Sequence, residues 1–382
     1  MVVGHAGSQI RMKPTPVFSF RVDASLTMGT GHVMRCLTLA EALRTRGAQC
    51  HFICRSHLGN LIATIRQRGF SVAALPSVFE DFQPQADDVG LLPSHAHWLG
   101  CDWRIDAEQT LDVLHVIKPD WLMIDHYSID ARWERRLAPA SKRVMVIDDL
   151  ADREHECDLL LDQNWFGEQA PGRYRGLVPA GCRCMLGPAY ALLRPEYAQL
   201  RSLMPPRDGI VRRALVFMGG SDPANQTGKV LDALMQPGLD QLVVDVVIGV
   251  NHPDPQGIAR KVEARPATNL YSGLPSLAGW MARADLMIGG GGSTTWERMC
   301  LGLPAVVISI ADNQAPTNLA MTKAGYIDFL GEMDSVSVDM VAAALRRRLA
   351  NPYALKLMSV LTQDLVTGTG SRVVCAHLLG ES

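Results

Sequence analysis

The sequence predicts an α/β protein made of two parallel-sheet domains that face each other across a cleft. Three observations carry this reading. Short β-rich runs alternate with helical ones along the chain, the pattern of strands joined by covering helices. The alternation breaks at Met204-Pro205-Pro206-Arg207-Asp208-Gly209, where two prolines and a glycine mark a linker. Glycine-rich or polar turns follow strand ends on both sides of that break, and open α/β sheets hold their ligands beyond the carboxyl ends of strands.

Taken in order, residues 1–16 read as a loose extension without the long apolar core of a secretory signal. A first α/β domain spans 17–204. Its strand candidates are 17–23, 49–54, 71–75, 121–125 and 143–148, with a weaker one at Leu159-Leu160-Leu161. The apolar period from Val33 to Leu43 predicts a helix. Several strands end in an acid followed by a loop, as in Ile124-Asp125-His126-Tyr127 and Ile147-Asp148-Asp149, so these loops are candidate site walls. A second α/β domain spans 210–353, with strands at 213–218, 243–248, 285–288 and 305–310. Residues 354–382 read as a helical segment able to pack back across the first domain.

Composition narrows the function classes. Hydrophobic residues at 47% against 20% charged allow a large core and exclude global disorder. A net charge of −2 leaves no basic footprint for nucleic acid or an anionic membrane. No run approaches the apolar length needed to cross a bilayer. The nine cysteines are odd in number and scattered, so they predict thiols in a reducing compartment rather than a disulfide framework or metal knuckles. The expectation is a cytoplasmic monomer.

The most telling segment is Gly29-Thr30-Gly31-His32-Val33-Met34-Arg35, which follows the first strand and opens the first helix. Glycines let a ligand approach the backbone, and a helix start presents free N–H groups to an anion. His32 adds a proton acceptor suited to neutral pH. The second domain carries three comparable turns: Phe217 to Pro223, Ile288 to Glu297, and Ser309 to Gln314. Common nucleotide signatures fail. Gly228-Lys229 is followed by Val230, with Pro223 where a Walker A loop needs glycine. Met34 stands where the dinucleotide fingerprint needs its third glycine or alanine. No Asp-x-Asp pair occurs, and His95-x-His97 has no third ligand at suitable spacing. What remains is a diphosphate held by backbone amides, with neither metal nor cofactor.

The series Gly29-x-Gly31-His32-x-x-Arg35, Asp125-His126-Tyr127, Gly219-Gly220-Ser221-Asp222, Gly291-Gly292-Ser293-Thr294-x-Trp296-Glu297 and Asp312-Asn313-Gln314 resembles the UDP-sugar hydrolases of pseudaminic acid biosynthesis. Asp162-Gln163-Asn164 and the segment Leu186 to Glu196 resemble them too. The match runs in order from about Phe18 to about Leu330. The second half also resembles MurG-like GT-B glycosyltransferases, which bind UDP-sugars between two Rossmann-like domains. The resemblance implies the GT-B type of fold. It also implies a UDP-linked 2,4-diacetamido-2,4,6-trideoxy sugar as substrate, cleaved at the anomeric C–O bond with inversion.

The same resemblance implies roles, each beside a plainer reading. His32 would be the catalytic base, or a turn histidine bonded to backbone. Tyr127 would place substrate or water, or form a cleft wall. Asn313 would reach the sugar, or cap a helix. Glu297 would hold the ribose hydroxyls, or close a capping box with Thr294. Arg35 would meet phosphate or pair with a strand-end acid. Gly29, Gly31, Gly220, Ser221, Gly291, Gly292, Ser293, Thr294 and Gln314 would complete the binding set. Asp222 before Pro223 reads as a helix N-cap. Asp125 and His126 are adjacent on a strand and so face opposite sides, which makes them loop structure rather than a pair. A glycosyltransferase and a non-catalytic UDP-sugar binder are the competing functions.

Overall fold

The computed structural model describes residues 14–77, 92–220 and 222–381. The first sheet has seven parallel strands: β1 (Val17–Val22), β2 (Gln49–Arg55), β3 (Ser71–Leu75), β4 (Trp121–Asp125), β5 (Arg143–Ile147), β6 (Leu159–Asp162) and β7 (Arg183–Leu186). Their spatial order is β3-β2-β1-β4-β5-β6-β7. The chain thus starts in the middle, builds to one edge, then returns to β4 beside β1. Strand alternation sends Phe18, Phe20 and Val22 to one face, where α1 (Gly31–Arg44) covers them, and Phe20 stacks on Phe52 at 4.9 Å. Leu122 and Ile124 face the other way, into a core shared with α3 (Trp103–Ile117) and α4 (Ala131–Leu137).

That second face also buries charge. Asp106 of α3 accepts from Arg21 Nη2 at 2.6 Å, Arg55 Nη2 at 2.5 Å and Trp133 Nε1 at 3.0 Å. Arg21 also pairs with Asp23 at 2.7 Å, and His126 Nε2 lies 3.2 Å from the same carboxylate. Arg21, Arg55 and Asp106 are fully buried. Two cations and two carboxylates balance, so neither sign is left alone in a low dielectric.

The second sheet repeats the plan with β8 (Arg213–Phe217), β9 (Val243–Ile248), β10 (Thr268–Ser272), β11 (Leu286–Gly290), β12 (Ala305–Ser309) and β13 (Asp328–Glu332), ordered β10-β9-β8-β11-β12-β13. Helices α6 (Gln226–Leu234) and α11 (Val338–Leu349) pack over one face. On the other face α5 (Pro195–Leu203), α8 (Ala278–Arg283) and α9 (Thr294–Cys300) contribute to the core. The chain crosses between lobes twice. The first crossing precedes α5, whose Tyr197 is buried in the second lobe. The second separates α12 (Pro352–Leu365), which packs on α9, from α13 (Gly370–Leu378), which packs on α1. The crossings lie side by side: Ser371 Oγ donates to the Leu193 carbonyl at 2.8 Å, and a Cβ on Gly370 would come within 2.4 Å of the Ala191 carbonyl oxygen.

Three strands escaped the sequence pattern: β7, β10 and β13. Each lies at a sheet edge and carries a mixed, half-exposed pattern, where pairing on one side suffices and apolar periodicity is weak. The fold makes one stability prediction. Asp106→Ala leaves Arg21 and Arg55 buried without their shared carboxylate and should cost about 3–5 kcal/mol, read as a lower urea midpoint for the first lobe.

Candidate functional site

The sheet order places the site. In each lobe the chain leaves the two central strands in opposite directions, β1 and β4 in the first, β8 and β11 in the second, and a crevice opens between the departing loops. After β1 the Ser25 carbonyl accepts from the Gly29 N–H at 2.9 Å, and its hydroxyl accepts from the Met28 N–H at 3.0 Å. The turn requires φ 75° at Gly29, a region that penalises any side chain. Helix α1 then starts at Gly31. Its N-cap, Thr30, makes no side-chain cap, so the first-turn amides are left for a ligand.

His32 and Arg35 lie within one turn of that helix and meet the last residue of β4. His32 Nδ1 is 2.6 Å from Asp125 Oδ1. Arg35 donates from Nε to Oδ2 and from Nη2 to Oδ1 of the same carboxylate, both at 2.6 Å, and from Nη1 to Asp149 Oδ2 at 3.1 Å. Burial pushes the Asp125 carboxyl up, but Arg35 and then His32 outweigh it and hold the group well below the usual carboxylate range. An ionised carboxylate has no proton to donate, so the contact requires His32 Nδ1–H. The lone pair is then on Nε2, and the ring lines the cleft.

Tyr127, two residues beyond β4, stands edge-on to His32 with ring centroids 4.6 Å apart. Its hydroxyl donates to Asp149 Oδ1 at 2.5 Å, and its oxygen accepts a long 3.4 Å contact from Asn313 Nδ2 of the second lobe. Burial first, then the Asp149 charge, pushes its pKa well above the usual phenol value, so it remains a donor.

Most of the sequence-predicted set converges here. Gly31, His32, Arg35 and Tyr127 line the cleft from the first lobe, and Gly291, Gly292, Ser293, Asn313 and Gln314 from the second. The lobes nearly touch at glycines. A Cβ on Gly31 would come within 3.9 Å of Ser293 Oγ, and one on Gly220 within 3.3 Å of Thr30 Oγ1. Gly29 shapes the turn behind the wall, Thr294 is the first residue of α9, and Ser221 lies outside the described residues.

The geometry separates several of the alternatives the sequence left open. Arg35 spends its fork on Asp125 and Asp149, the acid-pairing reading rather than the phosphate one. The Thr294–Glu297 capping box does not form, because Ser293 is the N-cap and makes no side-chain bond. Glu297 lies instead beside Arg194 and Tyr197; burial pushes its carboxyl up to about 7 against the pull of those two groups. Asn313 caps no helix; Gln314 precedes α10 (Ala315–Lys323) and accepts from the Ile310 N–H at 3.1 Å. Asp222 does bond the Gln226 and Thr227 N–H groups at 2.9 and 2.8 Å. Helix α6 nevertheless begins after Asn225, not at Pro223.

Sequence reasoning missed two carboxylates. Asp125 and Asp149 organise the site, and the signal was present in strands that close on an acid. Asp125 and His126 do face opposite ways, but Asp125 faces α1, which makes it His32's partner rather than loop structure. Gln163 and Asn164, noted only in the resemblance, also line the cleft. Among the described residues no group of three or more His, Cys, Asp or Glu is placed to hold a metal ion, and no helix is long and apolar enough to cross a membrane.

Comparison with known proteins follows the geometry. No protein-family model matches the chain. An uncharacterized protein of Methanocaldococcus jannaschii is 24% identical over 75% of this chain and 54% of its own length. The spore coat polysaccharide biosynthesis protein SpsG of Bacillus subtilis is 29% identical over 54% of this chain and 61% of its own. The chain therefore spans little more than half the length of these two relatives. The UDP-2,4-diacetamido-2,4,6-trideoxy-beta-L-altropyranose hydrolase of Campylobacter jejuni is 23% identical over 80% of this chain and 96% of its own length. Among solved structures, MurG of Acinetobacter baumannii superposes with a TM-score of 0.63 at 12% identity, covering 96% of this chain and all of that one. The calicheamicin glycosyltransferase CalG4 gives 0.64 at 15% identity, covering 97% and 98%. The chain thus has the GT-B fold of MurG-like glycosyltransferases, and in sequence it is similar to a UDP-sugar hydrolase.

Proposed function

We propose that this protein hydrolyses a UDP-linked 2,4-diacetamido-2,4,6-trideoxy sugar to free sugar and UDP, in pseudaminic acid-type nonulosonate biosynthesis. The observation that carries the reading is the Asp125–His32 pair, aimed into a cleft whose opposite wall is the glycine turn Gly291-Gly292-Ser293. In the proposed reaction His32 Nε2 takes a proton from water, and the hydroxide formed attacks the anomeric carbon from the face opposite UDP. The C–O bond to the diphosphate breaks, and UDP leaves with the electron pair. Because UDP is a good leaving group, the residues facing it need only stabilise charge, a task for glycine-turn amides and Ser293. One displacement inverts the anomeric centre. Asp125 stabilises the imidazolium as it forms, while Tyr127 and Asn313 place the water or the sugar. Glu297 holds the ribose hydroxyls. No metal or cofactor enters the scheme.

A base so placed serves an acceptor hydroxyl as well as water, and the structural neighbour CalG4 is a glycosyltransferase. The deciding experiment incubates the protein with UDP-sugars and no acceptor, with chelator present, and follows products by NMR. Stoichiometric UDP and free sugar of inverted configuration are expected. Intact UDP-sugar that is consumed only after an acceptor is added would contradict hydrolysis.

Two variant series test the roles. His32→Ala should lower kcat by about 10²–10⁴-fold with UDP affinity kept. Asp125→Asn, which no longer enforces the Nδ1–H tautomer, should lower kcat by about 10²-fold or more with little change in KM; wild-type rates in either variant exclude the scheme. For Glu297, hydroxyl donors from ribose favour the carboxylate, so UDP binding releases a proton where the free group is still protonated. Affinity should therefore tighten up to about tenfold between about pH 6 and 8. Glu297→Gln should bind more weakly and lose that part of the slope; an unchanged slope would remove Glu297 from the uridine site.

A further inference from the structure

The end of the first sheet opposite the cleft carries a second recess. There Arg143 and Arg183 begin β5 and β7, Arg46 follows α1, and Arg372 and His377 project from α13. With Met185, Val373 and Ala376 they line a groove of about 720 Å³. Among the described residues Glu381 is its one carboxylate and pairs with Arg46 at 2.9 Å. Of the nearby acids, Asp120 accepts from Lys142 and the Val17 N–H, and Asp158 accepts from the Val144 N–H and makes no ion pair among the described residues. Arg143 lies over the Trp121 ring, 5.3 Å from its centroid. Arg183 and Arg372 are exposed and have no side-chain partner among the described residues. Residues 1–13, outside the described part, contain no Asp or Glu.

Helix dipoles account for Arg46 and His377, which sit at the carboxyl ends of α1 and α13. They do not account for Arg143, Arg183 and Arg372, three guanidinium groups gathered in one concavity with no ion pair of their own among the described residues. Burial, then Arg183 and Arg143, disfavour the charged form of His377, which reports the same positive potential. Guanidinium forks match phosphate oxygens two at a time. A lone phosphate monoester brings only about −1.5 to −2, so two phosphate groups balance the cluster better than one.

We propose that this groove is a second anion site, separate from the substrate cleft, for a ligand bearing two phosphate groups. The test is calorimetric titration of inorganic pyrophosphate into the full chain at low salt, repeated with Arg183→Ala/Arg372→Ala, which leaves the lining of the substrate cleft unaltered. The proposal expects a binding event that weakens about tenfold or more in the double variant and fades with added salt. Both positions are exposed, so thermal unfolding should be unchanged; if it is not, Arg183→Gln/Arg372→Gln replaces the pair. No event, or an affinity unchanged in the double variant, overturns the proposal. A parallel arm uses vesicles containing phosphatidylglycerol. Capture that fails in the double variant assigns the phosphates to a lipid surface, and pyrophosphate binding without capture assigns them to a soluble ligand.

Discussion

Asp125 is a carboxylate buried to 1% exposure, and its ionisation organises the first lobe's contribution to the site. It remains charged there because Arg35 meets it with two nitrogens at 2.6 Å and His32 adds a third bond. The same bonds tie the start of α1 to the end of β4, and Arg35 carries the tie onward to Asp149 after β5. Asp149 in turn fixes the Tyr127 hydroxyl. One anion therefore sets the tautomer of the histidine and, through Arg35 and Asp149, the place of the phenol. A neutral residue at 125 would weaken both, because the bonds from Arg35 and His32 to it are charge-assisted.

The geometry follows from strand alternation at the sheet's centre. Val22 and Asp125 are register partners on β1 and β4, and successive residues beyond them face opposite sides. Asp125 faces α1 and the cleft. His126 faces the sealed side, where Asp23, Arg21, Asp106 and Arg55 form a closed, balanced cluster. The two faces thus divide the charge, one set open to a ligand and one sealed beneath α3 and α4. Across the cleft the second lobe comes closest where it has no side chain, at Gly220, whose Cβ would stand 3.3 Å from Thr30 Oγ1.

The central strands were legible because buried parallel strands are continuous apolar runs; the edges β7, β10 and β13 were not, because one-sided pairing tolerates polar residues. The cleft residues His32, Tyr127, Asn313 and the glycine turns were legible from punctuation at strand ends. What escaped was pairing across sequence distance. Nothing local shows that Asp125 lies beside a histidine 93 positions earlier. It follows only once the order β1-β4 is known. Local patterns also misplaced caps: the helix after Asp222 begins only beyond Asn225, and Thr294 is the first residue of α9 rather than its cap.

The most direct test of the account is the proton position on His32. Nitrogen-15 NMR, with the His32 signals assigned by their loss in His32→Gln, reads which ring nitrogen bears hydrogen at a pH where the ring is neutral. The account predicts hydrogen on Nδ1 and a bare Nε2, a pattern abolished by Asp125→Asn. A neutral ring protonated on Nε2 would contradict it.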